Sequence, residues 1–161
     1  MPRVTAPHST PADRLAPVDT AVDALFVYGT LRFRRILTAL LGHVPPGTPA
    51  TADGWRTAAL RGRPYPGLVA APGATAHGLV LTGLGPRTWQ ILDAFEDDAY
   101  VLRPLTVEPA PAHRGRTWAY LWDDPAQVCP GDWEADVFAG ELLDAYATRL
   151  ETAARIRRGR R

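Results

Sequence analysis

The sequence predicts an α+β domain, a curled or barrel-like sheet with helices outside. Three observations carry this. Short apolar runs bounded by Gly and Pro recur along the chain as strand candidates. Three other segments repeat apolar residues at helical spacing instead. The resulting order, β-α-β-β-β-α-β-β-α, has mostly short connections and no internal repeat. A chain of 161 residues is one domain by length, long enough for a sizeable core.

Element by element, residues 1–22 carry four prolines and no periodicity, which reads as a mobile leader. The run Ala24-Leu25-Phe26-Val27-Tyr28 reads as a buried strand, broken by Gly29 and Thr30. Phe33, Ile36, Leu37, Leu40 and Leu41 then recur at helical spacing, with Gly42 as the stop. The stretch GHVPPGTPATADG reads as a loop, followed by short strands at 56–61, 68–71 and 77–82. A second helix runs from Pro86 to about Asp97, with the proline at its start. Residues 101–107 form a strand that tolerates one proline, hence an edge or bulge. Residues 117–122 alternate small and aromatic side chains as another strand, and a last helix spans Trp133 to about Arg157.

Composition removes several classes of function. A hydrophobic fraction of 46% and five Trp indicate a globular chain. No run approaches the ~18 apolar residues of a membrane span, and the first twenty residues lack the apolar region of a secretory signal. Cys129 is the single cysteine, so a reducing, cytoplasmic setting is expected. Lys and Asn are absent and Ser9 is the only serine. A serine triad, a lysine Schiff base and a P-loop lysine are therefore excluded. The bias to Ala, Arg, Gly and Pro suggests a GC-rich bacterial genome. Residues 149–161 hold six Arg and one Glu, so the basic character belongs to the C-terminal tail. Such a tail reads first as a solvated helix end, and nucleic-acid binding is not expected as the main function. The histidines show no metal-ligand spacing, and neither a metal nor a cofactor is expected.

The stretch ILDAFEDDAY, residues 91–100, raises the question of chemistry. Projected as a helix with Trp89 at zero, Leu92 falls near ~300° and Glu96 near ~340°. Glu96 thus lies on the edge of the apolar stripe, while Asp97 and Asp98 fall near ~80° and ~180°. A carboxylate drawn out of water is raised in pKa, which suits a proton shuttle near neutral pH. Two plain alternatives stand beside this: Glu96 caps the helix end, or it pairs with Arg103.

VYGTLR, residues 27–32, turns a strand sharply into a helix. The N–H groups of Thr30, Leu31 and Arg32 are then first-turn donors, and Gly29 permits close approach of a ligand. Such a corner accepts a carboxylate or phosphate; an N-cap at Thr30 explains the same residues without a ligand. In RGRPYPGLV, residues 61–69, two prolines hold Tyr65 in a stiff loop, either an ordinary turn or a pocket wall.

Taken together, FVYGTLR, RPYPGLV, HGLVLTGL, LDAFEDDAY, Arg103 and TWAYLW, in this order, resemble the gamma-glutamylcyclotransferase-like superfamily over about residues 24–125. The resemblance implies a small mixed β-barrel with flanking helices, within a domain spanning residues 23–148. It implies cleavage of a gamma-glutamyl amide by the substrate's own α-amine, giving 5-oxoproline and a free amine. It makes Glu96 the general base and acid, and Tyr28, Gly29, Thr30 and Leu31 the corner that holds the substrate's α-carboxylate. Arg32 neighbours that corner in a basic stretch (RFRR) suited to an acidic substrate end or to a solvated helix face. Tyr65, Tyr100 and Tyr120 are expected to line or close the pocket. The pattern departs from the family at Asp97, where many relatives have glycine; its charge should raise Glu96 further. The competing readings are a binding module that holds a glutamyl or other carboxylate ligand without turnover, a metal hydrolase built on Glu96, Asp97 and Asp98, and a nucleic-acid binder acting through the tail. Three consecutive helical residues diverge by ~100° each and do not face one ion.

Overall fold

A computed structural model describes residues 12–160 of the chain. Residues 1–11, the first half of the expected leader, lie outside the described residues. Residues 12–22 do not behave as a leader: Ala12–Leu15 forms a short helix, α1, that lies against the last turn of a later helix. The reason is a single side chain, Arg14, whose contacts are described below.

Strand β1, Ala24–Val27, is buried at every residue. It pairs antiparallel with β3, Gly67–Leu81, on one side and parallel with β5, Thr117–Trp122, on the other. A strand covered on both faces needs apolar residues at successive positions rather than alternation. Leu25 and Val27 join one core cluster, Ala24 and Phe26 another, as the two-residue period requires. The same alternation explains β5: Trp118, Tyr120 and Trp122 face the helices, while Ala119 and Leu121 face the inside of the curled sheet.

With β2 at Gly47–Leu60, β4 at Tyr100–Pro104 and β6 at Val128–Asp132, the six strands follow the order β4-β5-β1-β3-β2-β6, with an added β5–β3 contact that curls the sheet on itself. Among the described residues no pairing joins β4 to β6, so "barrel" is a loose description of an open, mixed sheet. The fold is otherwise the expected α+β one.

Two boundaries differ from the sequence reading. The stretch expected as a loop is the first half of β2, Gly47–Leu60, and the three short strands are parts of two long ones, β2 and β3. They pair from Gly47↔Leu81 to Ala58↔Gly67, with a register shift between Asp53 and Trp55. Pro49 is tolerated because β6 pairs with β2 only near Ala58 and Leu60, leaving the first half of β2 at an edge. Strand β6 was hidden for the same reason, since VCPGD contains Pro130.

Helix α2, Arg34–Leu41, ends at Gly42 with φ 79° and a Gly42 N–H bond to Thr38 O of 2.8 Å, the expected left-handed stop. Helix α3 spans Gly85–Phe95. The last helical region is two helices, α4 at Ala135–Glu141 and α5 at Leu143–Gly159. Arg35 of α2 ties α5 down through Asp144 at 2.7 Å and Glu151 at 2.8 Å. Much of the basic tail is thus a continuation of α5 rather than a separate unit. No helix among the described residues is long and apolar enough to cross a membrane.

Candidate active site

The corner after β1 has the shape its sequence suggests. A 3-10 turn, Thr30–Arg32, follows at once, with Gly29 rather than Thr30 in the N-cap position. Among the described residues the N–H groups of Gly29, Thr30 and Leu31 find no acceptor on the protein. The third expected donor, Arg32, is spent within the turn on Gly29 O at 3.1 Å. Glycine is required at position 29 by crowding: a Cβ there would sit 2.7 Å from Pro66 Cγ. The RPYPG loop therefore presses directly on the corner.

Glu96 reaches the same place by a different route from the one projected. Helix α3 stops at Phe95, and Glu96 itself is extended, with φ −78° and ψ 141°. The turn of the backbone, not helical position, sends its side chain into the protein. One plain alternative holds for the backbone alone: Glu96 is the C-cap of α3, its N–H donating to Asp93 O at 3.2 Å. Its carboxylate has no hydrogen bond or ion pair among the described residues, and Arg103 donates to Leu102 O instead.

A cavity of about 130 Å³ lies between these two features. That is near the ~150 Å³ that admits a benzene-sized guest, so it suits a small acyl unit and not a macromolecule. Tyr28, Gly29, Thr30, Leu31, Tyr65, Tyr100, Tyr120 and Glu96 all line it. Arg32 does not; its side chain lies along a neighbouring groove with Arg56, His77 and Asp132. The tyrosines are fixed by their hydroxyls. Tyr28 donates to Tyr120 O, Tyr100 to Pro66 O at 2.5 Å, and Tyr65 to Asp97 Oδ2 at 2.5 Å.

The electrostatics follow from burial. Glu96 keeps some accessible surface, yet protein surrounds its carboxylate closely enough that desolvation is the largest influence on it. Burial, with Asp93 and Asp97 nearby, outweighs the opposing charge of Arg14 and pushes its pKa up to about 8. Asp97 lines the cavity too, against the projection that pointed it away. Burial works to raise it, but the Tyr65 hydroxyl, the Ala99 N–H at 2.9 Å and Arg63 together bring it below the ordinary carboxylate range. Tyr65 is pushed up to about 12 by burial and by Asp97. Tyr100 and Tyr120 are also raised, burial first, and stay neutral.

Three residues escaped the sequence reading. Asp93, 1% exposed, accepts the Tyr120 hydroxyl at 2.7 Å and lies 3.0 Å from Arg14 Nε. Its place in the helical projection, near ~40°, was itself a signal, being closer to the apolar stripe than Asp97. Tyr146 of α5 lines the cavity from a segment far along the chain. Arg14 lay in a stretch with no periodicity to mark it.

N–H donors with no acceptor and a raised carboxylate with no partner among the described residues line one small cavity. Among the described residues no three His, Cys, Asp or Glu side chains converge as a metal group. Chemically, such donors can accept a small anion and such a carboxylate can exchange a proton. The family model for gamma-glutamyl cyclotransferase, AIG2-like, matches residues 25–135, and the chain belongs to that family. AIG2-like protein C of Arabidopsis thaliana is 31% identical over 128 residues, covering 77% of this chain and 73% of its own. AIG2-like protein D of the same plant is 29% identical over 116 residues, covering 69% and 76%. A solution structure from Arabidopsis thaliana superposes with a TM-score of 0.59 at 23% identity over 81% of this chain and 83% of its own. A solved gamma-glutamyl cyclotransferase superposes with a TM-score of 0.52 at 15% identity over 80% and 85%. These structural likenesses concern the fold.

Proposed function

We propose that the protein is a gamma-glutamyl cyclotransferase that converts a gamma-glutamyl amide into 5-oxoproline and a free amine. The observation that carries this reading is Glu96, a carboxylate without a partner among the described residues, raised to about 8, lining the cavity that the Gly29–Leu31 corner also lines.

The substrate's α-carboxylate sits on the Gly29, Thr30 and Leu31 N–H groups, which have no acceptor among the described residues. Its α-ammonium then lies near Glu96. The substrate's α-ammonium, beside its own carboxylate, titrates above the ~8 of a peptide N-terminus, so a Glu96 raised to about 8 is a far better matched base for it than an ordinary carboxylate at 4.5. The smaller gap makes the proton transfer less uphill, which favours general base catalysis. The freed amine attacks the γ-carbonyl carbon, forming the ring C–N bond. Protonated Glu96 then returns its proton to the departing nitrogen as the original amide C–N bond breaks. The ring nitrogen passes its second proton by the same carboxylate to the released amine, leaving 5-oxoproline with one N–H and the amine as its ammonium ion. Holding the glutamyl chain folded supplies much of the acceleration, because a well-oriented intramolecular attack avoids the entropy of bringing two reactants together. The locked tyrosine hydroxyls give the cavity a fixed shape for this purpose.

The test is 5-oxoproline release from a panel of gamma-glutamyl amines, amino acids and dipeptides, with EDTA present and Glu96→Gln alongside. Turnover of one class by the native protein, lost in the variant, supports the proposal. Equal turnover by both removes Glu96 from its role. Saturable binding of a gamma-glutamyl compound without release favours a non-catalytic binding module instead.

A further inference from the structure

The last turn of α3 poses a problem that the family's matched span, residues 25–135, does not solve by itself. A helix end leaves carbonyl oxygens without intrahelical donors, and here the chain bends sharply just after it. Within the span, Asp93 O accepts the Glu96 N–H at 3.2 Å and Asp97 O the Tyr100 N–H at 3.1 Å. Arg14, eleven residues before the span begins, adds donors to both and to two further carbonyls. Its Nη2 donates to Asp93 O at 2.7 Å and to Glu96 O at 3.3 Å; its Nη1 donates to Asp97 O at 2.8 Å and to Tyr100 O at 3.2 Å. Nε lies 3.0 Å from Asp93 Oδ1, an ion pair out of hydrogen-bond alignment. The guanidinium also stacks 5.4 Å from the centre of the Tyr120 ring.

One planar fork thus gathers four carbonyls from the segment that carries Glu96. Lysine, a compact point charge, does not reproduce a fork of this kind. The cation is also placed where a helix C-terminus favours one.

We propose that Arg14 is the positioning residue of the site: it clamps the 93–100 backbone so that Glu96 enters the cavity, and it sets the charge that Glu96 feels. The inference rests on the proposed role of Glu96. The groups that face Glu96 are otherwise acids and phenols. Asp93 comes from α3 and Asp97 from the turn after it; Tyr28 comes from the end of β1 and Tyr65 from the β2–β3 loop. Tyr100 of β4, Tyr120 of β5 and Tyr146 of α5 complete the set. Arg14 supplies the positive charge that opposes burial at Glu96. Removing it leaves burial, Asp93 and Asp97, which all hold the proton on Glu96.

The experiment is a 13C NMR titration of the carboxyl carbons in glutamate-labelled protein, with Glu96 assigned by its loss in Glu96→Gln. The chain has only five glutamates, so the spectrum is simple. Native protein, Arg14→Gln and Arg14→Lys are compared below the lowest of their melting temperatures. Arg14→Gln keeps donors for two of the carbonyls and is chosen to fold. The Glu96 titration should move up by about one unit or more in Arg14→Gln and stay near the native value in Arg14→Lys. In 5-oxoproline release, Arg14→Lys should lower kcat more than it raises KM, because the fork is lost while the charge remains. An unchanged Glu96 titration in Arg14→Gln overturns the proposal and makes Arg14 a structural anchor alone. A shifted titration in a protein that releases no 5-oxoproline upholds the coupling and instead sinks the activity on which it rests.

Discussion

Glu96 and Asp97 are neighbours in the chain and line one cavity, yet their surroundings drive them in opposite directions. Glu96, without a partner among the described residues, is pushed up to about 8; Asp97, bonded to Tyr65 and close to Arg63, is held below the ordinary carboxylate range. Pairs of carboxyl groups separated in this way divide their roles, one exchanging protons while the other stays charged.

The first consequence concerns pH and rate. Glu96 acts as a base only when ionised, and its folded pKa is raised, so kcat/KM should climb as pH rises and reach half its plateau near about pH 8. A profile of 5-oxoproline release against pH checks this. A flat profile from about pH 6 to 9 would place the catalytic proton elsewhere.

Asp97→Asn removes the negative charge nearest in sequence to Glu96. Asp97 acts to raise Glu96, so the rising limb of the same profile should move to lower pH, by roughly half a unit to one unit. The Tyr65 hydroxyl loses its charged acceptor at the same time, which should raise KM.

Glu96 also links stability to pH. Its folded pKa of about 8 exceeds its ordinary 4.5, so the folded state holds a proton that the unfolded state has lost between those values. The stability from this proton is full below about pH 4.5 and declines as pH rises through about 8. Glu96→Gln lacks that decline. Its melting temperature should therefore exceed that of the native protein by a few degrees at about pH 8.5, with the gap closing towards about pH 5.

Gly29→Ala tests the corner. Its Cβ would meet Pro66 Cγ at 2.7 Å, so the RPYPG loop must shift. Overpacking of this kind costs about 1–3 kcal/mol. A lower melting temperature together with a raised KM is expected, since the displaced loop carries Tyr65 into the cavity wall.

Much of the fold was legible because its signals are local. The run ALFV is buried on both faces, and TWAYLW alternates between two cores. Gly42 stops α2 in the conformation that glycine favours. The first half of β2 was not legible, because Pro49 and small polar residues read as a loop and only pairing with β3 reveals a strand. At the candidate site, the helical projection turns Glu96 inward for a reason the structure does not share: α3 ends at Phe95, two residues before the expected Asp97, and the backbone turn aims the side chain. Arg14 and Tyr146 approach the site from segments distant in sequence. No periodicity records such contacts, so only the folded chain shows them.

The most direct test is to run the reaction in water enriched in 18O and analyse both possible products. Attack by the substrate's own amine admits no water, so 5-oxoproline without 18O should form, no glutamate should appear, and Glu96→Gln should be slower by roughly 10²–10⁴-fold. Glutamate carrying 18O in its γ-carboxyl would show that water is the nucleophile, and would contradict the cyclisation proposed for this cavity.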